Sequence, residues 1–417
     1  MTARCDREHF IPLRKGELID ALCADPELPL AVREPFRQFC RLVTGIYHFE
    51  FHQLLEKLKT AYAPFDPDGD TKPLVRLSAD QKQQQLNALY SEFGELMERA
   101  NFRHLDRDDI GPALRGSSHS GLRIDVDFRV FERLAIFARG ETVQKRKRRR
   151  FRRGWRQEEV EVPTYQRLVM ILKLRPHSRL GRQVDTESVY FQLFKNIPKR
   201  ELSTLLPGAR ARITAFDRGK ISFSLLSGLA LTAWRILQQI PETIAGVFLL
   251  DHPAALWGLI SGTVGYGAKT YFGYQQTKQH YNLKLTQVLY FQNLDTNAGV
   301  LYRVLDEAEE QQWREVVLGY YCLWRQAGEQ GWTSCELEEH VEMDLKRRAN
   351  LQVDFSTRAA LAHLEKLNLL DRMGDRYRAQ PLAKALLLLD WTWDNYFKHC
   401  KLKLELPPVP VSPSLNP

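Results

Sequence analysis

The chain has 417 residues, with 60 Lys and Arg against 51 Asp and Glu, which gives a formal charge of +9. This length predicts two or three domains, because single hydrophobic cores stop growing at about 250 to 300 residues. A hydrophobic content of 44% excludes an intrinsically disordered chain, and the basic balance favours an anionic partner, either nucleic acid or the anionic face of a membrane.

Residues 1–115 are predicted to form a helical region. Apolar residues recur at helical spacing between Glu34 and Leu58. Ser78 is expected to cap a second helix, which begins at Ala79 and carries Asp80 in its first turn. The first ten residues contain several charges and no apolar core, so we expect no signal peptide.

Residues 121–217 are predicted to form a small α+β sheet domain. Four stretches are rich in β-branched and aromatic residues and are bounded by Gly or Pro, as strands commonly are. They cover residues 122–128, 131–140, 164–174 and 189–195. A short helix is expected at residues 199–206, because Pro207 and Gly208 follow it and end it.

A dense basic segment lies between two of these strands, so residues 145–156 are expected to form a protruding loop. Lys and Arg attract the phosphates of lipid headgroups or nucleic acid, and an aromatic ring inserts into a membrane interface or stacks on a base. We expect anionic lipid rather than nucleic acid, and a solvated loop without a fixed partner is the third interpretation. The candidate contact residues are Lys145, Arg146, Lys147, Arg148, Arg149, Arg150, Arg152, Arg153, Trp155 and Arg156.

Residues 218–275 are predicted to form a two-helix membrane hairpin. Two uncharged runs, 221–234 and 254–268, have basic flanks with no Lys or Arg between them except Arg235, and the positive-inside rule places both flanks in the cytoplasm. Close packing of the two helices is expected at Gly258, Gly262 and Gly265. Each run is shorter than the about 20 residues that span a bilayer, so a buried hairpin in a soluble domain is the alternative.

Residues 276–330 are predicted to form a helical connector that begins with a tight turn. Asn293, Asp295 and Asn297 have side chains that hydrogen-bond readily to the backbone, and we expect this turn to fix the sheet domain relative to the hairpin. The helix that follows carries four acidic residues, which we interpret as a solvated face rather than a metal site. These are Asp306, Glu307, Glu309 and Glu310.

Residues 331–397 have the order helix, helix, hairpin, which is the outline of a winged helix. Thr333 and Ser356 are the expected caps of the two helices. The first helix is acidic, and the second offers few basic residues to DNA, so we expect this module to bind a protein partner rather than DNA. The last segment, 398–417, is Pro-rich and is predicted to be a disordered tail.

Local catalytic motifs are absent from the sequence, which contains no Walker loop, GxSxG, HExxH or GxGxxG pattern. The six cysteines form no CxxC pair, so we predict neither a metal site nor a cofactor. His48 and His52 lie four residues apart on one helix face, and we interpret them as packing residues rather than metal ligands. An enzyme is therefore less expected than a binding protein.

Several strings make the chain resemble a family of unknown function, the DUF3754 type, which includes the animal protein called transmembrane protein 143. They are REHFIPLR (7–14), RGE (139–141), YFQLFKNIPKREL (190–202), LPG (206–208), KTYFGY (269–274), LYFQNLDTNAGV (289–300), LDEAEEQ (305–311) and WDNYF (393–397). The resemblance implies a membrane protein with two closely spaced hydrophobic segments and no established activity. The absence of a transit peptide suggests a bacterial-type member, whereas Arg235 and Asp251 interrupt the family's hydrophobic pattern.

The predicted fold class is α+β, mainly helical, with a small β-sheet domain, a two-helix membrane hairpin and a C-terminal winged-helix-like module. The predicted function is that of a membrane-anchored scaffold or adaptor, which contacts anionic lipid and a protein partner. We expect it in the bacterial cytoplasmic membrane with both termini in the cytoplasm. The alternatives are a membrane-tethered nucleic-acid-binding protein that uses the basic loop and the winged helix, and an enzyme whose active site assembles from distant residues.

Overall fold

The chain is described by a computed structural model that covers residues 10–70, 77–106, 108–111, 123–149, 157–180, 184–212 and 291–399, together with Phe272, Gln276, Gln279 and Leu283. It divides into two compact units. The first comprises residues 1–60, 87–101 and 302–417, and the second comprises residues 61–86 and 102–301.

The first unit is built mainly from helices. They are α1 (Lys15–Cys23), α2 (Leu30–Tyr62), α3 (Ala79–Arg99), α4 (Ala298–Gln326), α5 (Ser334–Ala349), α6 (Thr357–Lys366), α7 (Leu382–Asp394) and a short last helix, Tyr396–His399, with one end of α2, α3 and α4 assigned to the second unit. All residues of α4 from Gln311 to Leu323 are buried. Aromatic rings pack α2 against α4, with centroids 4.2 Å apart for Phe39 and Tyr320.

A small antiparallel sheet accompanies the C-terminal helices of this unit. Its strands are β8 (Trp332–Thr333), β9 (Leu370–Met373) and β10 (Arg376–Ala379), in the order β8–β10–β9. Helix α5 begins with a capping box, in which the Thr333 side chain accepts from the Glu336 backbone N–H and the Glu336 side chain accepts from the Thr333 backbone N–H. The predicted cap at Thr333 is therefore confirmed, as is the order helix, helix, hairpin.

The second unit is built around a five-stranded antiparallel sheet. Its strands are β1 (Arg103–His104), β3 (Phe131–Arg149), β4 (Gln157–Leu174), β5 (Val189–Pro198) and β7 (Asn293–Thr296), in the order β1–β3–β4–β5–β7. A separate pair joins β2 (Arg123–Asp125) to β6 (Arg210–Arg212). The strands predicted near 122, 131, 164 and 189 are thus confirmed, and a 3-10 helix, Lys199–Thr204, occupies most of the predicted short helix.

Side-chain alternation along these strands gives the sheet two buried faces. One face carries Ile136, Leu168 and Met170 and forms a core with the 3-10 helix, through residues such as Leu202. The other face carries the cross-strand row Phe137, Val169 and Leu193, which is also buried. Because both faces are covered, the central strands carry apolar residues on both sides.

The predicted fold class is wrong in two respects. The chain is a mixed α and β protein whose antiparallel sheet has five strands, so its β part is larger than the small sheet that we predict. The physical reason lies in β3 and β4, which are 19 and 18 residues long. Strand β3 continues through residues 145–149 of the predicted loop, and β4 begins at Gln157, directly after it.

The membrane hairpin is the second wrong prediction. Within the described part of the chain, no helix combines the length and the apolar character needed to cross a bilayer. The uncharged runs of the sequence are themselves shorter than the about 20 residues that a span needs. Residues 218–275, with Gly258, Gly262 and Gly265, lie outside the described residues except for Phe272. The predicted location in a bacterial cytoplasmic membrane depended on this hairpin, so this prediction is also wrong.

Candidate binding surfaces

A two-stranded ribbon projects from the sheet of the second unit. Strand β4 pairs with β5 only as far as Thr164, opposite Pro198, whereas β3 and β4 stay paired up to Arg149 and Gln157. Residues 143–149 and 157–163, which we call the ribbon, therefore have no third strand beside them within the described residues. Seven residues of extended chain give the ribbon a length of about 24 Å.

The strand register pairs basic residues of the ribbon with acidic ones. Lys145, Lys147 and Arg148 lie opposite Glu161, Glu159 and Glu158, respectively. Arg146 and Arg149 lie opposite Val160 and Gln157, which carry no charge. Opposite charges on directly facing strand positions attract each other, so the register favours the pairing of these strands.

The predicted basic loop is therefore only partly a loop. Residues 145–149 belong to β3, and the side chain of Lys145 is exposed. Arg150, Arg152, Arg153, Trp155 and Arg156 lie outside the described residues. They connect the two ends of the ribbon, and no carboxylate occurs among residues 150–156. The sequence between the two strand ends is therefore rich in basic residues and contains no acidic ones.

The predicted polar turn lies at the junction of β7 and α4. Asn297 adopts a left-handed conformation with φ of 50°, and its backbone N–H donates to the carbonyl of Phe191 at 2.9 Å. Its side-chain amide donates to Asp68 at 2.5 Å. Asn293 and Asp295 pair with Phe194 and Leu193 of β5. These three residues therefore hold β7 on the sheet, and nothing here relates the turn to a membrane.

Helix α4 of the first unit buries one of the four acidic residues that we predict to face solvent. Glu309 is buried; it forms an ion pair with Lys15 at 2.8 Å, and one of its carboxylate oxygens lies at hydrogen-bond distance, 3.1 Å, from Nδ1 of His48. The interpretation of a solvated face is therefore wrong for Glu309, although Asp306 is exposed. The partner of His48 comes from a distant part of the chain, so the local spacing of histidines could not reveal it.

Glu315 lies six residues after Glu309 on α4 and is 1% exposed. Its carboxylate accepts hydrogen bonds from Gln311 at 2.8 Å and from Asn101 at 2.9 Å. Burial raises the pKa of Glu315 to about 7, because two neutral donors replace only part of the lost hydration. The carboxyl group is therefore close to half-protonated at neutral pH, but solvent does not reach it.

A second polar group surrounds Arg99, which donates to Glu50 at 2.8 Å and to Gln312 at 3.0 Å. Gln312 also contacts the His363 ring nitrogen at 2.8 Å. Burial, with the nearby charge of Arg99, lowers the pKa of His363 to about 4, so this imidazole is neutral at neutral pH. Shifted titration of this kind is typical of active sites, but these groups satisfy one another, which favours a role in stability.

Helix α6, which would be the DNA-reading helix of a winged helix, is packed within its own unit. Leu364 and Ala360 lie against Gly319 of α4, and Lys366 forms an ion pair with Glu50 at 2.8 Å. Because His363 is also engaged, Arg358 is the basic side chain of α6 that stays exposed without a described partner. This arrangement disfavours insertion of α6 into a DNA groove.

Three carboxylates on and near α5 could hold a hard cation. Glu338 and Glu342 are one helical turn apart, and their oxygens lie within 4.8 Å of those of Asp354. Oxygen ligands of this kind suit calcium or magnesium. Acidic clusters of this exposure are also common without an ion, and the Glu342 carboxylate already accepts a hydrogen bond from the backbone of Phe355 at 3.3 Å. The cluster therefore carries no functional assignment.

Large apolar side chains are exposed along α7. Leu387 and Trp391, which lie one helical turn apart, are 71% and 55% exposed. Trp393 and Phe397 are also exposed, although each has an edge against α2, through Gly45 and Phe49. Exposed clusters of large apolar residues often mark protein-binding surfaces.

Comparison with known proteins assigns no activity to any of these surfaces. No solved structure matches the chain at a significant level. The model of one protein family matches residues 131–299, which include strands β3, β4, β5 and β7. This stretch is less than half of the chain, and it is similar to the family described as Protein of unknown function (DUF3754).

Proposed function

We propose that this chain is a non-catalytic adaptor that binds nucleic acid through the ribbon and the basic residues that connect its strands. The observation that supports the proposal is the projection of β3 and β4 beyond β5, whose last pair places Arg149 opposite the uncharged Gln157. A two-stranded β-ribbon fits the major groove of DNA, which is about 12 Å wide. The formal charge of +9 also favours association with a polyanion.

The distribution of charge along the ribbon predicts which residues contribute most. Near the base, Lys145, Lys147 and Arg148 face glutamates, so their attraction for phosphate is partly offset. Toward the free end, Arg149 faces an uncharged Gln157 and is followed by a segment without carboxylates. Phosphate contacts should therefore concentrate at the free end, and Trp155 can stack on an unpaired base.

The test compares two triple variants that remove the same formal charge from the full chain. The first replaces Arg149, Arg150 and Arg152 by Gln, and the second replaces Lys145, Lys147 and Arg148 by Gln. Binding to a fluorescent 30-base-pair duplex is measured by anisotropy over a range of salt concentrations. Each lost phosphate contact lowers the slope of log affinity against log salt by about 0.9, so the first variant should lose about 2.7. The second variant should lose less than about one unit of slope.

Three results would contradict the proposal. Equal losses in the two variants would mean that net charge, rather than the ribbon's free end, governs binding. Absence of duplex binding by the unaltered chain at low salt would remove nucleic acid as the partner. Binding to anionic vesicles without binding to the duplex would assign the ribbon to a lipid surface.

A protein partner is a second candidate, which the exposed side chains of α7 support. The adaptor would then join nucleic acid to a protein bound at Leu387 and Trp391. A photoreactive residue placed at position 391 should crosslink to that protein, whereas one at the exposed Lys57 of α2 should not. Equal crosslinking from both positions would show that contact with α7 is non-specific.

The relation to the animal transmembrane protein and a bacterial origin stay predictions, since the family match alone supports neither. The winged-helix comparison of residues 331–397 also stays a prediction. In this proposal that module serves as the protein-binding part of the adaptor, because α6 is packed and the basic ribbon lies elsewhere in the chain.

A further inference from the structure

Three basic residues form a row across the central strands of the second unit. The Cα partner of Arg139 on β3 is Arg167 on β4, and the Cα partner of Arg167 on β5 is Lys195. Directly opposite residues of antiparallel strands share a face, and adjacent strands are about 4.8 Å apart. The Cα atoms of three basic residues therefore lie side by side within about 10 Å.

Such a row is unfavourable by itself, because like charges on directly opposite strand positions repel each other. The same sheet contains a second pair of this kind, Arg133 opposite Lys173. There the repulsion is offset, because Lys173 forms an ion pair with Glu132 at 3.1 Å. At this second pair of like charges, a neighbouring carboxylate therefore offsets part of the repulsion.

Among the described residues, no carboxylate forms an ion pair with Arg167 or Lys195 of the row. Arg167 forms no ion pair with any described residue, and its Nη1 donates only to the neighbouring carbonyl of Gln166 at 3.3 Å. The Nε of Arg167 is buried and has no hydrogen-bond partner among the described residues. Lys195 is half-buried and likewise has no described partner. Two basic residues without a described acidic partner, one of them with an unpaired Nε–H donor, thus lie opposite each other on adjacent strands.

We propose that the row Arg139, Arg167 and Lys195 binds the phosphate group of a small phosphorylated molecule. A phosphate monoester carries about two negative charges near neutral pH and accepts several hydrogen bonds, which matches adjacent guanidinium groups and an ammonium group. The proposal is independent of nucleic-acid binding by the ribbon.

The burial of the row favours a small anion over a polymer. Arg139 is 6% exposed, and its guanidinium lies 4.6 Å from the ring centroid of Phe102, which fixes its plane. Arg167 and Lys195 are only partly accessible. The adjoining row toward the middle of the sheet is Phe137, Val169 and Leu193, all buried. A compact headgroup can reach these donors, whereas a duplex backbone would meet the exposed ribbon first.

The experiment uses inorganic phosphate as the probe and the full chain in phosphate-free buffer at pH 8. Binding is measured by isothermal titration, and the melting temperature is followed against chloride at equal ionic strength. The unaltered chain should bind phosphate and melt at a higher temperature in its presence. Arg167→Gln should weaken binding at least tenfold, whereas the control Lys173→Gln, which removes a basic residue of the same strand, should leave it unchanged.

Lys195→Gln provides a second readout, which does not require the sheet to tolerate a substitution at the half-buried Arg167. Without phosphate it should raise the melting temperature, because one of three repelling charges is removed. With saturating phosphate it should melt below the unaltered chain, because one donor to the anion is lost. The proposal is overturned if phosphate stabilises no more than chloride, or if Lys173→Gln weakens binding as much as Arg167→Gln.

Discussion

Replacing Glu315 by Gln should stabilise the first unit at alkaline pH and leave its stability nearly unchanged at pH 4.5. Gln retains an oxygen that accepts from Gln311 and Asn101, so the hydrogen bonds at 2.8 and 2.9 Å survive. It cannot ionise, however, and so it avoids the cost of a buried negative charge. The substitution therefore isolates the titration of one carboxyl group.

The direction of the pH dependence of stability follows from the raised pKa of Glu315. Burial raises the pKa of Glu315 from its usual 4.5 to about 7, so the folded protein holds a proton that the unfolded chain releases. Stability falls as pH rises from 4.5 to 7 and is then constant. The difference of 2.5 pKa units corresponds to about 3 kcal/mol, which the Gln variant should regain at pH 8.

Urea unfolding of the two proteins at pH 4.5, 6 and 8 measures this difference. Glu50→Gln is the matched control, because this carboxylate is also on the inside of the unit but has cationic partners. Burial opposes its ionisation, yet Lys366 and Arg99 outweigh burial and lower the pKa of Glu50. Glu50→Gln should therefore lower stability at pH 8 and matter less in acid. A Glu315→Gln effect that is destabilising, or equal at all three pH values, refutes the reasoning.

Two backbone features give further predictions that calorimetry can check. Gly140 has φ of 70°, and an added Cβ would lie 2.3 Å from the Gln166 side-chain oxygen, so Gly140→Ala should lower the free energy of unfolding by about 1 to 3 kcal/mol. Gly374→Ala has the same φ problem but open space, and a loss as large as that at Gly140 would exclude the steric cause. Thr333→Ala removes the cap of α5 and should lose about 1 kcal/mol, whereas an equal loss for the adjacent Ser334→Ala would contradict the capping argument.

Local patterns predicted the elements whose cause is local. The strands of the second unit follow from β-branched and aromatic residues, and the start of α5 follows from the Thr333 and Glu336 pair. The capping of α3 is of the same kind, since Ser78 and Gln81 exchange hydrogen bonds at 2.9 and 3.3 Å. In both caps the interacting residues are three positions apart.

Features that depend on distant residues were missed or misread. The acidic run of α4 has the polarity of a surface helix, and only its partners Lys15 and His48 show why Glu309 is inside. The sequence predicts a loop for the basic segment at 145–156, because its charges hide the strand pattern of residues 145–149. Its pairing with Glu158, Glu159 and Glu161 could have been suspected, because an acidic stretch follows a basic one at a distance that a hairpin would close.

The strand register also shows which basic residues of this protein lie opposite acidic residues and which do not. The sequence places its strongest basic signal at 145–156, but the register offsets three of those residues with glutamates. The row Arg139, Arg167 and Lys195 gives no signal in the sequence, because each residue lies on a different strand among apolar neighbours. A polyanion and a small anion would therefore use different parts of the same sheet. Substitutions at Arg149 and Arg167 should separate the two activities, because neither residue belongs to the surface proposed for the other ligand.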